Sequence, residues 1–283
     1  MEAIEDLFHP VLVYNNREGK DAQLLKHFDE PAWNNPVVRY LDSAENDLIE
    51  RKDGVWTTTG TVERMIAALR VAKREIPNYL VALSNSGDAD KTMETATFAM
   101  HCYWEGEAKL GLIDGVNSTR SGWVDSLEVV TVKYDPDRVE YAKLVEAAQS
   151  LECASKVFAH TPSQLDAAKQ RVGKDAVMLN DDLLVKDAKA SDQKYYLIQT
   201  PLRHLPLTET QATKINAALK SGQPVESWLS PRQSILYRRI MTVVRKDKDA
   251  LENFQFPAKL TGLAKYSTTL TGKLDSIGAD TSN

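Results

Sequence analysis

Thr97-Phe-Ala-Met-His-Cys-Tyr-Trp-Glu-Gly-Glu107 is the stretch on which the fold turns. Thr95 to His101 is a short apolar run that predicts a strand, and a helix is predicted directly after it, from Tyr103 to Leu112. Cys102 stands at the junction. The first N–H groups of a helix have no partner within it and carry the positive end of the helix dipole. A thiol placed there ionises more readily, and the adjacent His101 can add positive charge. Two roles are open to Cys102 on this evidence. It is a reactive thiolate or a small core residue, since free cysteine is among the most buried residue types.

Downstream of this junction the same alternation continues. Leu127-Glu-Val-Val-Thr-Val-Lys-Tyr134 reads as a strand, closed by Asp135-Pro136. Pro136 to Gln149 reads as a helix, with Val139, Leu144, Val145 and Ala148 on its apolar side. Lys156 to His160 is another short strand. Thr161-Pro162 opens a helix to Arg171, because proline suits the first helical position. Further helices are expected over Thr208 to Ser221 and Pro231 to Val244, with a polar, frayed end from Gly272 to Asn283. Strands alternating with helices predict an α/β sandwich.

Upstream, His9 to Tyr14 predicts a buried strand and Ala22 to Phe28 a short helix. Val37 to Leu41 and Leu48-Ile49 predict a hairpin. Thr61 to Lys73 is an amphipathic helix by its Val62, Met65, Ile66, Leu69 and Ala72 face, with Thr61 as N-cap. Asn35-Pro36, the hairpin and this helix look like the second half of a thioredoxin fold without its Cys-x-x-Cys; a plain cap on the next domain fits equally. Ser84 to Lys91 is polar and contains Gly87, so it is expected to be a linker. The expected divisions are 1–90, a small α/β domain; 91–229, the domain carrying Cys102; and 230–283, a helical extension and tail.

Composition narrows the function. In 283 residues, 42% are apolar and 27% charged, enough to bury a core. A net charge of −5 with mixed signs argues against a nucleic-acid binder. Arg203-His204 and the Arg238 to Lys248 stretch read as solvated surface. No apolar run approaches the ~20 residues that span a bilayer, so no membrane partner is expected. A cytoplasmic place is expected, or a periplasmic one if a signal was removed. Two cysteines without a Cys-x-x-Cys or zinc-ligand spacing leave no metal and no organic cofactor to expect.

Cys102-Tyr-Trp-Glu-Gly-Glu107 resembles the Gly-Cys-Phe-Trp-Gly-x-Glu signature of the A-type peptide methionine sulfoxide reductases. Gly115-Val116-x-Ser-Thr-x-x-Gly122-Trp123 is similar to that family's Gly-Val-x-x-Thr-x-x-Gly-Tyr. Glu128-Val-Val-Thr-Val-Lys-Tyr-Asp-Pro136 is similar to Glu-x-Val-x-Val-x-Tyr-Asp-Pro. Ser155-Lys-Val-Phe, with Gln164 and the Ala167-Ala168 helix, and Gln193-Lys-Tyr-Tyr-Leu197 resemble two later family segments. The similarity spans about residues 96–200.

The resemblance implies a two-layer α/β sandwich of the methionine sulfoxide reductase A type, preceded by a smaller α/β segment. It implies a thiol oxidoreductase of the peptide-methionine (S)-S-oxide reductase kind. Cys102 would attack a sulfoxide or peroxide-type substrate, Glu128 would be the acid, and Tyr103, Trp104 and Trp123 would line the substrate site. Glu107 matches the family glutamate and reads as structural. The chain departs from the pattern at His101 and Glu105, where the family has glycine. Trp123 replaces an oxygen-binding tyrosine, and Glu152-Cys-Ala-Ser155 replaces the family's Asp-x-Gly-x-x-Tyr-Arg-Ser. Cys153 then falls where a substrate-binding tyrosine would stand, and is a candidate resolving thiol for Cys102. The implied partners are oxidised methionine, in protein or as a small molecule, and an external thiol reductant such as thioredoxin. The alternatives are structural ones: Glu128 as a solvated strand residue, Tyr103 and Trp104 as core, Cys153 as an inert helix-end residue, and the whole as a non-catalytic binding or redox-sensing protein.

Overall fold

The structure is a computed structural model and describes residues 2–31, 33, 37–85, 93–254 and 262–278. The chain divides into two compact units, Met1–Asp88 and Ala89–Asn283. Among the described residues no helix is long and apolar enough to cross a membrane.

In the first unit α1 (Glu2–Leu7) and α2 (Lys20–His27) precede a pair of two-residue strands, β1 (Val37–Val38) and β2 (Lys52–Asp53). Two helices follow, α3 (Thr58–Val71) and α4 (Asn78–Asn85). Their core is Tyr40, Val62, Met65, Ala68, Leu69, Tyr79 and Leu80. Helix α3 begins one turn earlier than predicted. Thr57, not Thr61, is the N-cap, its hydroxyl accepting from the Gly60 N–H. The hairpin forms, but Val37 and Val38 pair with Asp53 and Lys52 rather than with Leu48-Ile49. The strand predicted at His9 to Tyr14 is not formed. Val11 and Leu12 are 79% and 73% exposed, and no neighbouring strand completes their backbone hydrogen bonds. Asn35 and Pro36, on which the thioredoxin reading rests, lie outside the described residues, as does most of the predicted linker.

The second unit is built on a six-stranded mixed sheet. Its strands are β3 (Glu94–Ala99), β4 (Val116–Val124), β5 (Leu127–Tyr134), β6 (Lys156–Ala159), β7 (Ala176–Met178) and β8 (Lys186–Asp187), in the order β7-β6-β3-β5-β4-β8. All neighbours are antiparallel except β6 and β7. One face of the sheet presents Ala96, Phe98, Val130, Val132 and Tyr134 to helices α5 (Tyr103–Gly111), α6 (Tyr141–Ser150) and α7 (Pro162–Val172), which supply Leu110, Leu144, Val145, Ala148 and Ala168. The opposite face, with Ala99, Val124, Val129 and Phe158, is covered by Val177, Leu179, Leu183 and Val185. Helices on one face of a mainly antiparallel sheet make the expected α/β architecture.

Helix α6 starts at Tyr141, five residues later than predicted, because Asp135 turns the chain by accepting from the Asp137 N–H at 3.1 Å. Beyond the sheet lie α8 (Tyr195–Ile198), α9 (Glu209–Ser221), α10 (Pro231–Lys246) and α11 (Leu263–Ser276). Thr208 and Ser230 open α9 and α10 through reciprocal caps with Gln211 and Gln233. Leu197, Leu205, Ile215, Leu236, Ile240 and Leu270 share one core. Gly272 to Ser276, expected to fray, is helical, and the buried Leu274 anchors it.

Candidate functional site

Strand β3 runs through Met100 and His101 into Cys102, the extended N-cap of α5. The β3–β5 ladder pairs Ala99 with Val129 and continues through Met100 N–H, which donates to the Glu128 carbonyl at 3.0 Å. This register sets Glu128 beside the start of α5. Cys102 makes no side-chain cap. The Glu128 carboxylate takes over that role, its Oε2 accepting from the Tyr103 N–H at 2.7 Å. A carboxylate there complements the positive helix end. The Glu128 carboxylate therefore binds the N–H of the residue that directly follows Cys102. Cys102 and Glu128 are half-buried, while His101 is exposed.

The other end of α5 is held by a cation. Lys214 on α9 donates from Nζ to the Gly111 and Ile113 carbonyls at 2.7 and 3.0 Å. Burial lowers this ammonium to about 8. Helix α5 is thus pinned at both termini by side chains from other elements, each with the sign its dipole favours.

Aromatic rings surround the junction. Trp123 lies directly opposite Glu128 in the β4–β5 register. Its ring meets Tyr103 edge-on, centroids 5.5 Å apart. Trp104 is tilted against Tyr103 at 5.9 Å and stacked on Tyr195 at 4.2 Å. The Trp104 Nε1–H is buried and has no acceptor among the described residues. The structure therefore brings Cys102, Tyr103, Trp104, Trp123 and Glu128 together.

Four residues with no role assigned from sequence complete the group: Asp192, Gln193, Lys194 and Tyr195. Asp192 ends a short turn, Ala190–Asp192, and its carboxylate faces the Tyr103 hydroxyl. Burial first, then the Asp192 and Glu128 charges, push the phenol's pKa upward. Gln193 holds that turn to β4, donating to the Ser121 carbonyl at 2.8 Å and accepting from the Ser121 N–H at 3.0 Å. Lys194 is locked to Glu107 twice, its backbone N–H and Nζ each 2.7 Å from a carboxylate oxygen. Tyr195 then covers one face of Trp104. The Gln193 to Leu197 motif was the only sequence signal for this support.

Cys153 has a different setting. It is 2% exposed, within the core beside α5, and donates to the Leu151 carbonyl at 3.3 Å. Burial pushes its thiol up to about 11; Lys109 opposes this, while Glu105 and Glu152 reinforce it. Both cysteines are free thiols. If Cys153 resolves an oxidised Cys102, the rate of disulfide formation is set by its small thiolate fraction. After stoichiometric oxidation without reductant, that rate is expected to rise about tenfold per pH unit above 7 and to level near pH 11. Acid quenching and peptide mapping measure it. A pH-independent rate, or no disulfide, removes Cys153 from the reaction.

The fold and site define a mixed α/β domain with a thiol and a carboxyl at one helix N-terminus. No family model matches the chain. It is 33% identical over 98 residues to the peptide methionine sulfoxide reductase MsrA of Haloquadratum walsbyi, covering 28% of this chain and 51% of that one. The MsrA of Geobacter metallireducens is 29% identical over 120 residues, covering 31% of this chain and 74% of its own length. Among solved structures, methionine sulfoxide reductase A of Corynebacterium diphtheriae aligns with a TM-score of 0.34 and 18% identity, over 45% of this chain and 84% of that one. The chain spans about half the length of the Haloquadratum relative. Over this segment the chain is similar to A-type peptide methionine sulfoxide reductases.

Proposed function

We propose that the second unit is a thiol oxidoreductase that reduces methyl sulfoxides of the methionine type, with Cys102 as nucleophile and Glu128 as acid. The observation that carries this reading is the Glu128 carboxylate 2.7 Å from the Tyr103 N–H, at the helix end where Cys102 sits. Cys102 sulfur attacks the sulfoxide sulfur while its thiol proton passes through Glu128 to the oxygen, which is otherwise a poor leaving group. Net, the sulfoxide and the thiol give a thioether and a Cys102 sulfenic acid. The substrate sulfur is reduced, the cysteine sulfur is oxidised, and the oxygen passes to the cysteine. A second thiol then condenses with the sulfenic acid, releasing water and leaving a disulfide. An external dithiol, of the thioredoxin kind, reduces that disulfide. Trp104 and Trp123 supply the apolar wall for the methyl group.

The test is thioether formation from each epimer of N-acetylmethionine sulfoxide with dithiothreitol, and then with thioredoxin. Turnover of the S epimer is expected. Glu128→Gln keeps an oxygen for the Tyr103 N–H and removes the acid, so a fall of about 10²–10⁴ is expected. Turnover of neither epimer sinks the catalytic reading and leaves a redox-sensing or binding protein.

A further inference from the structure

Cys102 and Glu105 stand at the two ends of a capping-box spacing. Cys102 is the N-cap of α5, its carbonyl accepting from the Gly106 N–H at 3.0 Å, and Glu105 is the third helical residue. At that spacing a glutamate ordinarily folds back onto the N-cap N–H. The boxes that open α9 and α10 are closed in this way by Gln211 and Gln233. The box of α5 is open. Glu105 Oε1 accepts instead from Lys220 Nζ at 2.9 Å. Helix α9 runs antiparallel along α5, since Lys214 reaches Gly111 at one end and Lys220 reaches Glu105 at the other. Lys220 is held from a second side, its Nζ lying 5.2 Å from the centroid of the Tyr196 ring. Lys220 first, then Lys109 and His101 more weakly, hold the Glu105 carboxyl below its ordinary range, so it carries a full negative charge. Lys109 is itself committed to the Leu151 carbonyl at 3.1 Å.

Resting on Cys102 as the reactive thiol, we propose that Lys220 is a positioning residue that draws the Glu105 carboxylate away from the helix end and so keeps the thiol able to ionise. Without the ammonium, Glu105 folds back to the Cys102 N–H and closes the box. A second carboxylate then stands beside the thiol, in addition to Glu128 on β5. Like charge disfavours the thiolate, and the thiolate is the nucleophile. The other charged groups around this end of α5 are His101 and Lys109 on its own segment and Asp192 beside Tyr103. The related signature has glycine in place of Glu105 and so has no carboxylate to hold away. Glu105 and Lys220 therefore belong together as a feature of this chain.

The test needs no turnover. Iodoacetamide is neutral, and its rate with Cys102, followed by peptide mapping over about pH 5–10, reads the thiolate fraction. Lys220→Met is expected to move the midpoint of this profile up by about 0.5–1 pH unit, a modest shift because the ion pair is partly exposed. Below the midpoint that slows alkylation about 3–10-fold, while the plateau at high pH stays unchanged. Lys220→Arg keeps the charge and is expected to stay within about twofold of wild type. Glu105→Gln is expected to react at least as fast as wild type. Adding Lys220→Met to Glu105→Gln is expected to change the rate by less than about twofold, because no carboxylate remains to fold back. A slowing that persists in that double variant overturns the proposal, since Lys220 would then act on the thiol directly. A fall of the plateau without a shift of the midpoint overturns it too, as a merely structural change. Turnover of N-acetylmethionine sulfoxide is measured on the same proteins. If the wild type turns over and Lys220→Met is alkylated like wild type at every pH, the positioning role falls and the catalytic reading stands. If the wild type does not turn over but Lys220→Met shifts the profile and Glu105→Gln cancels the shift, the positioning role stands and the catalytic reading falls. Neither turnover nor shift overturns both.

Discussion

Replacing Cys102 with serine is expected to reduce sulfoxide turnover at least about a thousandfold, the scale seen when a nucleophile is removed, and to leave the fold intact. The side chain makes no capping hydrogen bond, and the Glu128 carboxylate already serves the first helical N–H. The new hydroxyl is a small group at an N-cap position, where serine is favoured. Stability is therefore expected to stay the same or to rise slightly. The chemistry fails for a separate reason: a hydroxyl is a weak nucleophile toward sulfur, and its oxygen cannot take up a second oxygen and then lose it as water to a thiol. A single-turnover experiment gives the sharper number. Without reductant, wild-type protein is expected to release one equivalent of thioether per chain, and the added oxygen to stay on Cys102, seen by mass spectrometry, only where Cys153 is replaced by serine. Cys153→Ser is expected to give the same first equivalent, since its thiol acts only afterwards. An equivalent released by Cys102→Ser would show that the nucleophile is elsewhere.

The part of the site legible in the sequence is the part that obeys simple periodicity. The apolar run before Cys102, the helix after it, and the Leu127 to Tyr134 strand follow their patterns, and the structure forms them within one or two residues of those bounds. Strand β4 gave no such signal. Its Val-Asn-Ser-Thr-Arg-Ser-Gly-Trp-Val sequence is polar, yet Asn117, Thr119 and Ser121 are buried. Their surroundings are polar too. The Thr119 hydroxyl donates to Glu107, and the Ser121 backbone is paired by the Gln193 amide. A strand whose buried side is built of polar side chains shows no hydrophobic alternation. At its edge Gly122 is required, because a Cβ there would lie 2.6 Å from the Lys186 carbonyl of β8. Asp192 was equally hidden, since its role exists only once the 190–194 turn is fastened across α5 and β4. The His9 to Tyr14 run failed in the other direction: it has the composition of a strand, but no strand among the described residues pairs with it.

Glu107→Gln is expected to destabilise the second unit by about 3–5 kcal/mol, the cost of breaking a buried ion pair from one side. Glu107 is 0% and Lys194 2% exposed, and their Oε1–Nζ distance is 2.7 Å. Because the pair is buried, the Lys194 ammonium would be left with neutral acceptors, among them the Thr119 carbonyl. Lys194→Met is expected to cost a similar amount by stranding the Glu107 carboxylate. The double variant is expected to lose less than either single one, because it leaves no uncompensated charge. Urea unfolding followed by tryptophan fluorescence measures all four proteins. Additive losses would mean that the pair is not coupled. The pair also bears on chemistry. Lys194 has a left-handed backbone, φ 50°, which Glu107 holds by binding both its N–H and its Nζ. Asp192 lies just before that turn and Tyr195 just after it, against Tyr103 and Trp104 respectively. Release of Lys194 would therefore loosen Asp192 and Tyr195 together. The double variant, even where fully folded, is then expected to bind sulfoxide less selectively than wild type, while alkylation of Cys102 proceeds at an unchanged rate. Stability regained without selectivity would show that this buried charge pair orders the site as well as the core.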